Sequence, residues 1–301
     1  MPDPANELSD SSERGESSEL GSAAHLVARE DLTDDLAVFH FAPEGRVPPF
    51  RAGQWMKLGV RDRTGGGALV WRPYTVASTS RSAVLSFYVR RVWKPAPGKL
   101  TTLLWRLERG DEVRWQAPRG RFTLERWRAE REPRALLLLA GGTGLAPFVA
   151  QLEELVHEGA PTRVVLAHGA SYADELGFRA HFEQLASSSV DRAGRPWSFA
   201  YLPTVSRPGH PRNRAWRGLC GRVEDLLASP ADAPCAVERA LGHALAPAKV
   251  FALACGYART IDNLLAALHA RGFAGPRARA DGTLDVLVDS FGADESSPRA
   301  S

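Results

Sequence analysis

LLLLAGGTGLAPF, residues 136–148, is the stretch on which the reading of this 301-residue chain turns. Apolar side chains on both faces of a strand, as in Leu136 to Ala140, mark a strand covered on both sides, the habit of parallel sheets. The backbone then enters Gly141, Gly142 and Gly144, which reach angles closed to other residues and admit a ligand close to the main chain. Pro147 suits a first helical turn, where no amide hydrogen bond is lost. The helix start behind it offers free N–H groups and partial positive charge to a phosphate. A tight strand–helix turn without a ligand fits the same residues, and both readings stand at this point.

Downstream, apolar strands at residues 163–168 (RVVLAH), 198–202 and 249–254 alternate with helical spacing at 147–157, 174–186, 221–228 and 260–271. That alternation predicts a doubly wound parallel sheet. Upstream the rhythm differs. Residues 36–41 (LAVFHF), 54–60 (QWMKLGV), 74–77, 84–89 (VLSFYV) and 112–116 (EVRWQ) are short, β-branched or aromatic runs separated by Pro- and Gly-rich turns. Such spacing predicts an antiparallel barrel or sandwich, interrupted by helical spacing at residues 100–107. Residues 126–133 form the boundary between the two halves.

Composition is that of an ordinary globular chain, 44% hydrophobic and 24% charged, which excludes a collagen-like or disordered polymer. No apolar run approaches the roughly 20 residues of a membrane span. Cys220, Cys235 and Cys255 are too few and too irregularly spaced for a disulfide framework, an iron–sulfur cluster or a zinc site, so no metal is expected. The first 24 residues carry six acidic side chains against Arg14 alone, and read as a disordered tail without a secretory signal. The net charge of +3 therefore hides a basic body of +8, which suits an acidic protein partner, an anionic cofactor or nucleic acid. Dispersed basic residues without a binding motif argue against nucleic acid. A cytoplasmic monomer is the expectation.

Four further signals accompany the glycine turn. Arg72-Pro73-Tyr74-Thr75 brings a cation, an aromatic ring and a hydroxyl out within four residues, a pattern an ordinary barrel edge also shows. Gly98, Leu100, Thr101 and Thr102 open a predicted helix, as an anion site or as simple capping. Cys255-Gly256 ends an apolar strand at the same sheet edge as the glycine turn. No acid ends the second strand, where NAD-preferring folds place one, while Ser206, Arg207, Arg212, Arg214 and Arg217 follow the third; the group tilts the reading to a 2′-phosphate, hence NADP.

In this order and spacing the motifs resemble the ferredoxin–NADP reductase superfamily, and among its members the bacterial ferredoxin (flavodoxin)–NADP reductases, through GTGLAPF, His168-Gly169…Glu175-Leu176, Pro203…Arg207 and Gly221-Arg222…Asp225-Leu226. The resemblance implies a β plus α/β architecture: a six-stranded antiparallel FAD-binding β-barrel over residues 25–128 and a Rossmann-like NADP-binding domain over 133–292, with a tail at 293–301. By the same resemblance, Arg72 meets the FAD pyrophosphate, Pro73 and Tyr74 lie along the flavin, and Thr75 sits near flavin N5. Tyr88, Val89 and Arg90 form the second flavin-contacting strand. Gly98, Leu100, Thr101 and Thr102 hold phosphate. Gly142, Thr143, Gly144, Cys255 and Gly256 surround the nicotinamide, Ser206 and Arg207 hold the 2′-phosphate, and Phe291 with Ser290 faces the cofactor at the carboxyl end. Thr75 and Cys255 are the residues nearest the chemistry. The implied activity passes a hydride from NADPH to FAD and then single electrons to ferredoxin or flavodoxin. A reductase for an oxygenase, a ferric or flavin reductase, and a non-catalytic nucleotide-binding regulator are the alternatives. Three departures qualify the match: Pro73 and Thr75 in place of Ala and Ser, Ser171 where a phosphate-binding Arg is usual, and the carboxyl end Leu287–Gly292 in place of an Ala-Phe-Val-type ending; the insertion at 207–219 is also longer than expected.

Overall fold

The computed structural model describes residues 21–291 except 65, 131, 161, 189, 192, 230–232, 280 and 281. The acidic segment up to residue 20 and the tail at 293–301 lie outside the described residues.

Six strands build the first half: β1 (Ser22–Thr33), β2 (Leu36–Pro43), β3 (Trp55–Arg61), β4 (Leu69–Thr75), β5 (Leu85–Arg90) and β6 (Glu112–Trp115), in the antiparallel order β4-β3-β6-β1-β2-β5. The two edge strands approach each other where the chain leaves β4. There the Ala77 N–H donates to Ser86 O at 2.8 Å and the Ser86 N–H to Ser78 Oγ at 3.1 Å, drawing the sheet round into a barrel. Its interior is filled by Phe39, Phe41, Met56, Leu58, Phe87 and Val89, all at most 1% exposed. A short helix, α1 (Lys99–Leu104), closes one end, burying Leu100 and Leu104.

A strand that the sequence reading did not include, beginning at Ser22, precedes the run at 36–41, with Ala24 buried between β2 and β6. β4 lies earlier than the run 74–77: Pro73 is tolerated on an edge strand, where its missing N–H costs no ladder bond. The boundary segment is no loose linker. It carries α2 (Glu125–Arg128), whose Trp127 is fully buried and donates to Arg134 O at 2.7 Å.

The second half alternates strand and helix: β7 (Ala135–Gly141), α3 (Ala146–Glu158), β8 (Val164–Ala170), α4 (Arg179–Ser187), β9 (Phe199–Val205), β10 (Leu219–Cys220), α5 (Ala236–Leu241), β11 (Val250–Tyr257), α6 (Ala258–His269) and β12 (Val286–Phe291). The strands run parallel in the order β10-β9-β8-β7-β11-β12. Leu136 to Ala140 are completely buried, as a strand covered on both faces requires. The helical spacing over 174–186 is broken: Phe178 sits at φ 58°, so a single 3-10 turn (Ala173–Glu175) precedes α4.

One face of the parallel sheet packs on its own helices α5 and α6. The other shares a core with the barrel, in which Leu36, Val38, Ala77 and Tyr88 meet Leu136, Leu138, Phe148 and Cys255. This continuous core fixes the barrel over the carboxyl ends of the parallel strands. Among the described residues, no helix is long and apolar enough to cross a membrane.

Candidate functional site

A cleft of about 550 Å³ opens where the carboxyl ends of β7, β8, β9 and β11 face the barrel. Its floor is the glycine turn. Gly144 presses on the neighbouring strand so closely that a Cβ there would lie 2.1 Å from Cys255 O. Gly141 packs under Thr260, where a Cβ would meet a methyl at 2.8 Å. Gly142, by contrast, has φ +55° and open space above it, and with Thr143 it lines the cleft. Two glycines are thus explained by packing, and the third leaves backbone exposed to a ligand.

Below the turn lies His168, fully buried, with Nδ1 3.1 Å from the Tyr201 hydroxyl. Its Nε2 faces the Gly142 backbone without a hydrogen bond of good geometry. Burial holds the imidazole neutral, with its pKa lowered to about 3.

Four guanidiniums reach the cleft: Arg90, Arg207, Arg212 and Arg222. Arg90 is bound to Asp35 at 3.0 Å and to Glu175 at 3.2 Å, across the domain boundary. Arg212 is bound to Asp174 through two bonds of 3.0 and 2.6 Å. Neither Arg207 nor Arg222 has a carboxylate partner among the described residues, and both stand near Ser171 and Ser206. Arg222 owes its place to the motif around it. Gly221 turns at φ +114°, the Asp225 carboxylate accepts the Arg222 N–H at 2.7 Å, and Leu226 is buried as an anchor.

On the barrel side, β4 delivers Arg72, which is exposed, and Tyr74, whose ring meets Phe87 edge-on at 6.5 Å. Thr75 ends the strand just before Val76, in the barrel core, and Ala77, in the shared core, so it stands between the two halves. Val89 points into the barrel. Tyr88 points the other way, its hydroxyl donating to Glu175 O at 3.2 Å, and burial pushes its phenol pKa up. The structure therefore uses the Tyr88 and Arg90 side chains to join the domains, leaving the backbone of edge strand β5 to meet a cofactor. Leu100 likewise buries its side chain in the barrel. At Gly98 a Cβ would lie 2.7 Å from Thr101 Oγ1, which accepts the Val92 N–H and donates to Gly98 O. The Thr102 hydroxyl beside it is buried with no hydrogen-bond partner among the described residues.

Cys255 is 1% exposed and lies beneath the cleft rather than on its wall. Gly256 packs against Gly141, and the wall above is formed by Tyr257 and Phe291, opposite each other on β11 and β12. Sequence reasoning missed Tyr172 and Asn213, which hold the 207–219 insertion in place, and gave Arg222 no role of its own. The signal for Arg222 was the Gly-Arg-x-x-Asp-Leu spacing; for the other two there was none.

The residues fit the groups the resemblance implies. An orphaned buried hydroxyl at Thr102 beside Thr101 suits a phosphate, and an open glycine at 142 with two unneutralised guanidiniums suits a second anionic nucleotide.

Residues 23–124 match the model of an oxidoreductase FAD-binding domain, and residues 138–262 that of an oxidoreductase NAD-binding domain. The chain is 30% identical to ferredoxin–NADP reductase A of Sorangium cellulosum over 264 residues, covering 85% of this chain and 86% of that one. It is 31% identical to the toluate 1,2-dioxygenase electron transfer component of Pseudomonas putida over 160 residues, but spans only 42% of that protein's length. The fold is like that of a ferredoxin NADP+ reductase from Neisseria gonorrhoeae solved with bound FAD and NADP, with a TM-score of 0.71, 24% identity, and coverage of 89% of this chain and 98% of that one.

Proposed function

The chain belongs to the ferredoxin–NADP reductase superfamily of FAD- and NAD-binding oxidoreductases, and from that premise we propose that it oxidises NADPH and passes the electrons singly to a ferredoxin or flavodoxin. Bound FAD would supply the hydride-accepting and one-electron-releasing chemistry, so the protein's own part is position and electrostatics. Arg72 and the Gly98, Leu100, Thr101 and Thr102 turn hold the FAD phosphates, Leu100 through its backbone alone. Pro73, Tyr74 and the backbone of Tyr88, Val89 and Arg90 would line the flavin, and Thr75, at the end of β4, would hydrogen-bond its N5. Gly142 and Thr143 would admit the nicotinamide half of NADPH, with Gly144 and Gly256 allowing the close packing beneath them, Phe291 on the outer wall and Cys255 below. Proximity and alignment supply most of the rate, since no side chain acts as nucleophile.

The observation that carries NADPH over NADH is the pair Arg207 and Arg222. They are the cleft guanidiniums left without a carboxylate partner among the described residues, beside Ser206. A doubly charged phosphate accepts such cations in bidentate fashion, whereas a ribose hydroxyl gives them nothing to neutralise. The basic body beyond residue 24 favours an acidic carrier, and that attraction weakens with salt.

The acceptor is tested by NADPH-driven turnover with a ferredoxin, a flavodoxin, ferric citrate and free flavin in parallel. The proposal predicts saturable, salt-sensitive reduction of ferredoxin or flavodoxin. Faster turnover with the chelate or free flavin contradicts it and favours a ferric or flavin reductase. Slow turnover with every carrier favours a dedicated oxygenase partner, the role named in the Pseudomonas putida relative.

A further inference from the structure

The 207–219 insertion returns to the cleft through one buried side chain. Asn213 is 2% exposed; its Oδ1 accepts the Ala173 N–H at 2.8 Å, and its Nδ2 donates to Ser171 O at 3.0 Å and to Arg207 O at 2.8 Å. The backbone of Arg207 is thereby tied to the end of β8. Its side chain is held separately, since Arg207 Nη1 donates to the Tyr172 hydroxyl at 2.8 Å. Tyr172 is itself fixed. The Arg212 guanidinium lies 3.9 Å from its ring centre and the His210 ring at 4.7 Å, both supplied by the insertion. Arg212 is bound to Asp174 by two bonds, so its charge is already neutralised locally and it acts as a cover for Tyr172 rather than as a phosphate ligand.

From this arrangement, and resting on the NADPH reading above, we infer that Tyr172 and the insertion form a mount that holds Arg207 ready for a 2′-phosphate, with Tyr172 a positioning residue for coenzyme choice. An unrestrained arginine loses rotamer freedom when it closes on a ligand, and a side chain fixed beforehand loses less. The mount also accounts for Ser171. The site lacks a cation at that position, and the insertion compensates by ordering the one at Arg207. Arg212 and His210 pack against the Tyr172 ring, and Arg207 is held both by the hydroxyl and by the ring, whose centre lies 5.4 Å from its guanidinium; Tyr172→Phe removes the hydroxyl bond and keeps the ring contact.

The probes are adenosine 2′,5′-bisphosphate, which carries the 2′-phosphate, and 5′-AMP, which does not, titrated by calorimetry into the full-length protein. Wild type is expected to prefer the bisphosphate by about a hundredfold, as two charge-assisted arginine contacts allow. Arg207→Ala should abolish most of that preference. Tyr172→Phe should lower bisphosphate affinity about fivefold and leave 5′-AMP binding unchanged. An unchanged ratio in Tyr172→Phe, with Arg207→Ala still collapsing it, overturns the mount and spares the NADPH reading. Equal loss of both ligands in Tyr172→Phe also overturns it, because the residue would then be merely structural. A wild type without preference, or one that Arg207→Ala leaves intact, overturns the NADPH reading itself.

Discussion

At the cleft, polar and backbone groups are held by one another: Gly144 lies against Cys255, Asp225 caps Arg222, and Tyr172 with Asn213 holds Arg207. At the turn after β5 the arrangement is incomplete, because the Thr102 hydroxyl is buried without a hydrogen-bond partner among the described residues. The difference matches two kinds of ligand. A coenzyme that comes and goes needs a site that stands in its absence. A resident cofactor can complete its own site and stabilise the fold by mass action.

The contrast can be broken at several points. The largest effect belongs to Gly144→Ala, whose new methyl meets backbone rather than a movable side chain. Unfolding in urea should show a loss of about 3 kcal/mol, the upper part of the ordinary overpacking range. A neutral outcome would mean the two strand ends are less tightly joined than described.

Next is the buried imidazole below the turn. The folded pKa of His168 is lowered to about 3 from 6.5, so the unfolded chain takes up a proton that the native one refuses. Stability contributed by this group is present above pH 6.5 and is lost as pH falls toward 3. The loss should be about 2 kcal/mol between pH 7 and 5. His168→Gln should flatten the slope, and an identical slope in the variant would place the titration elsewhere.

On the barrel side, Thr102→Val removes the orphaned hydroxyl while keeping the shape. The FAD-free protein should be no less stable, since an unsatisfied buried hydroxyl is itself unfavourable by about 1–3 kcal/mol. FAD should bind about tenfold more weakly by calorimetry. A destabilised apoprotein with unaltered FAD affinity would reverse the contrast between the two sites. The smallest effect is expected where the regions meet. Glu175→Gln leaves Arg90 its bond to Asp35, so stability should fall by no more than about 1 kcal/mol.

How much of this was legible in the sequence follows from the range of the interactions. The strand of Leu136 to Ala140 and the glycines after it were readable because continuous apolar burial and close backbone approach leave local marks. Ser22 to Ala24 were not, since small and polar residues become a strand only when β2 and β6 flank them. Helix spacing over 174–186 was misleading because Phe178 accepts a left-handed backbone where its ring packs on Tyr88, at 5.6 Å, a contact from the other half of the molecule. The same holds for the site. Arg207 followed from its place after a strand, whereas Tyr172 and Asn213 gain their roles only when the insertion folds back across 40 residues. Tyr88 and Cys255 stand on strands that lead to the proposed cofactor sites, but the direction of their side chains, into the core shared by the two halves, is not given by sequence position alone.

The central claim, a resident FAD facing a cleft built for NADPH, is tested most directly by recording the visible spectrum of the purified protein and then adding NADPH or NADH without oxygen. The account predicts one bound FAD per chain and bleaching of its bands at much lower concentrations of NADPH than of NADH. A protein that takes up no FAD on reconstitution, or one that NADH bleaches equally well, would contradict it.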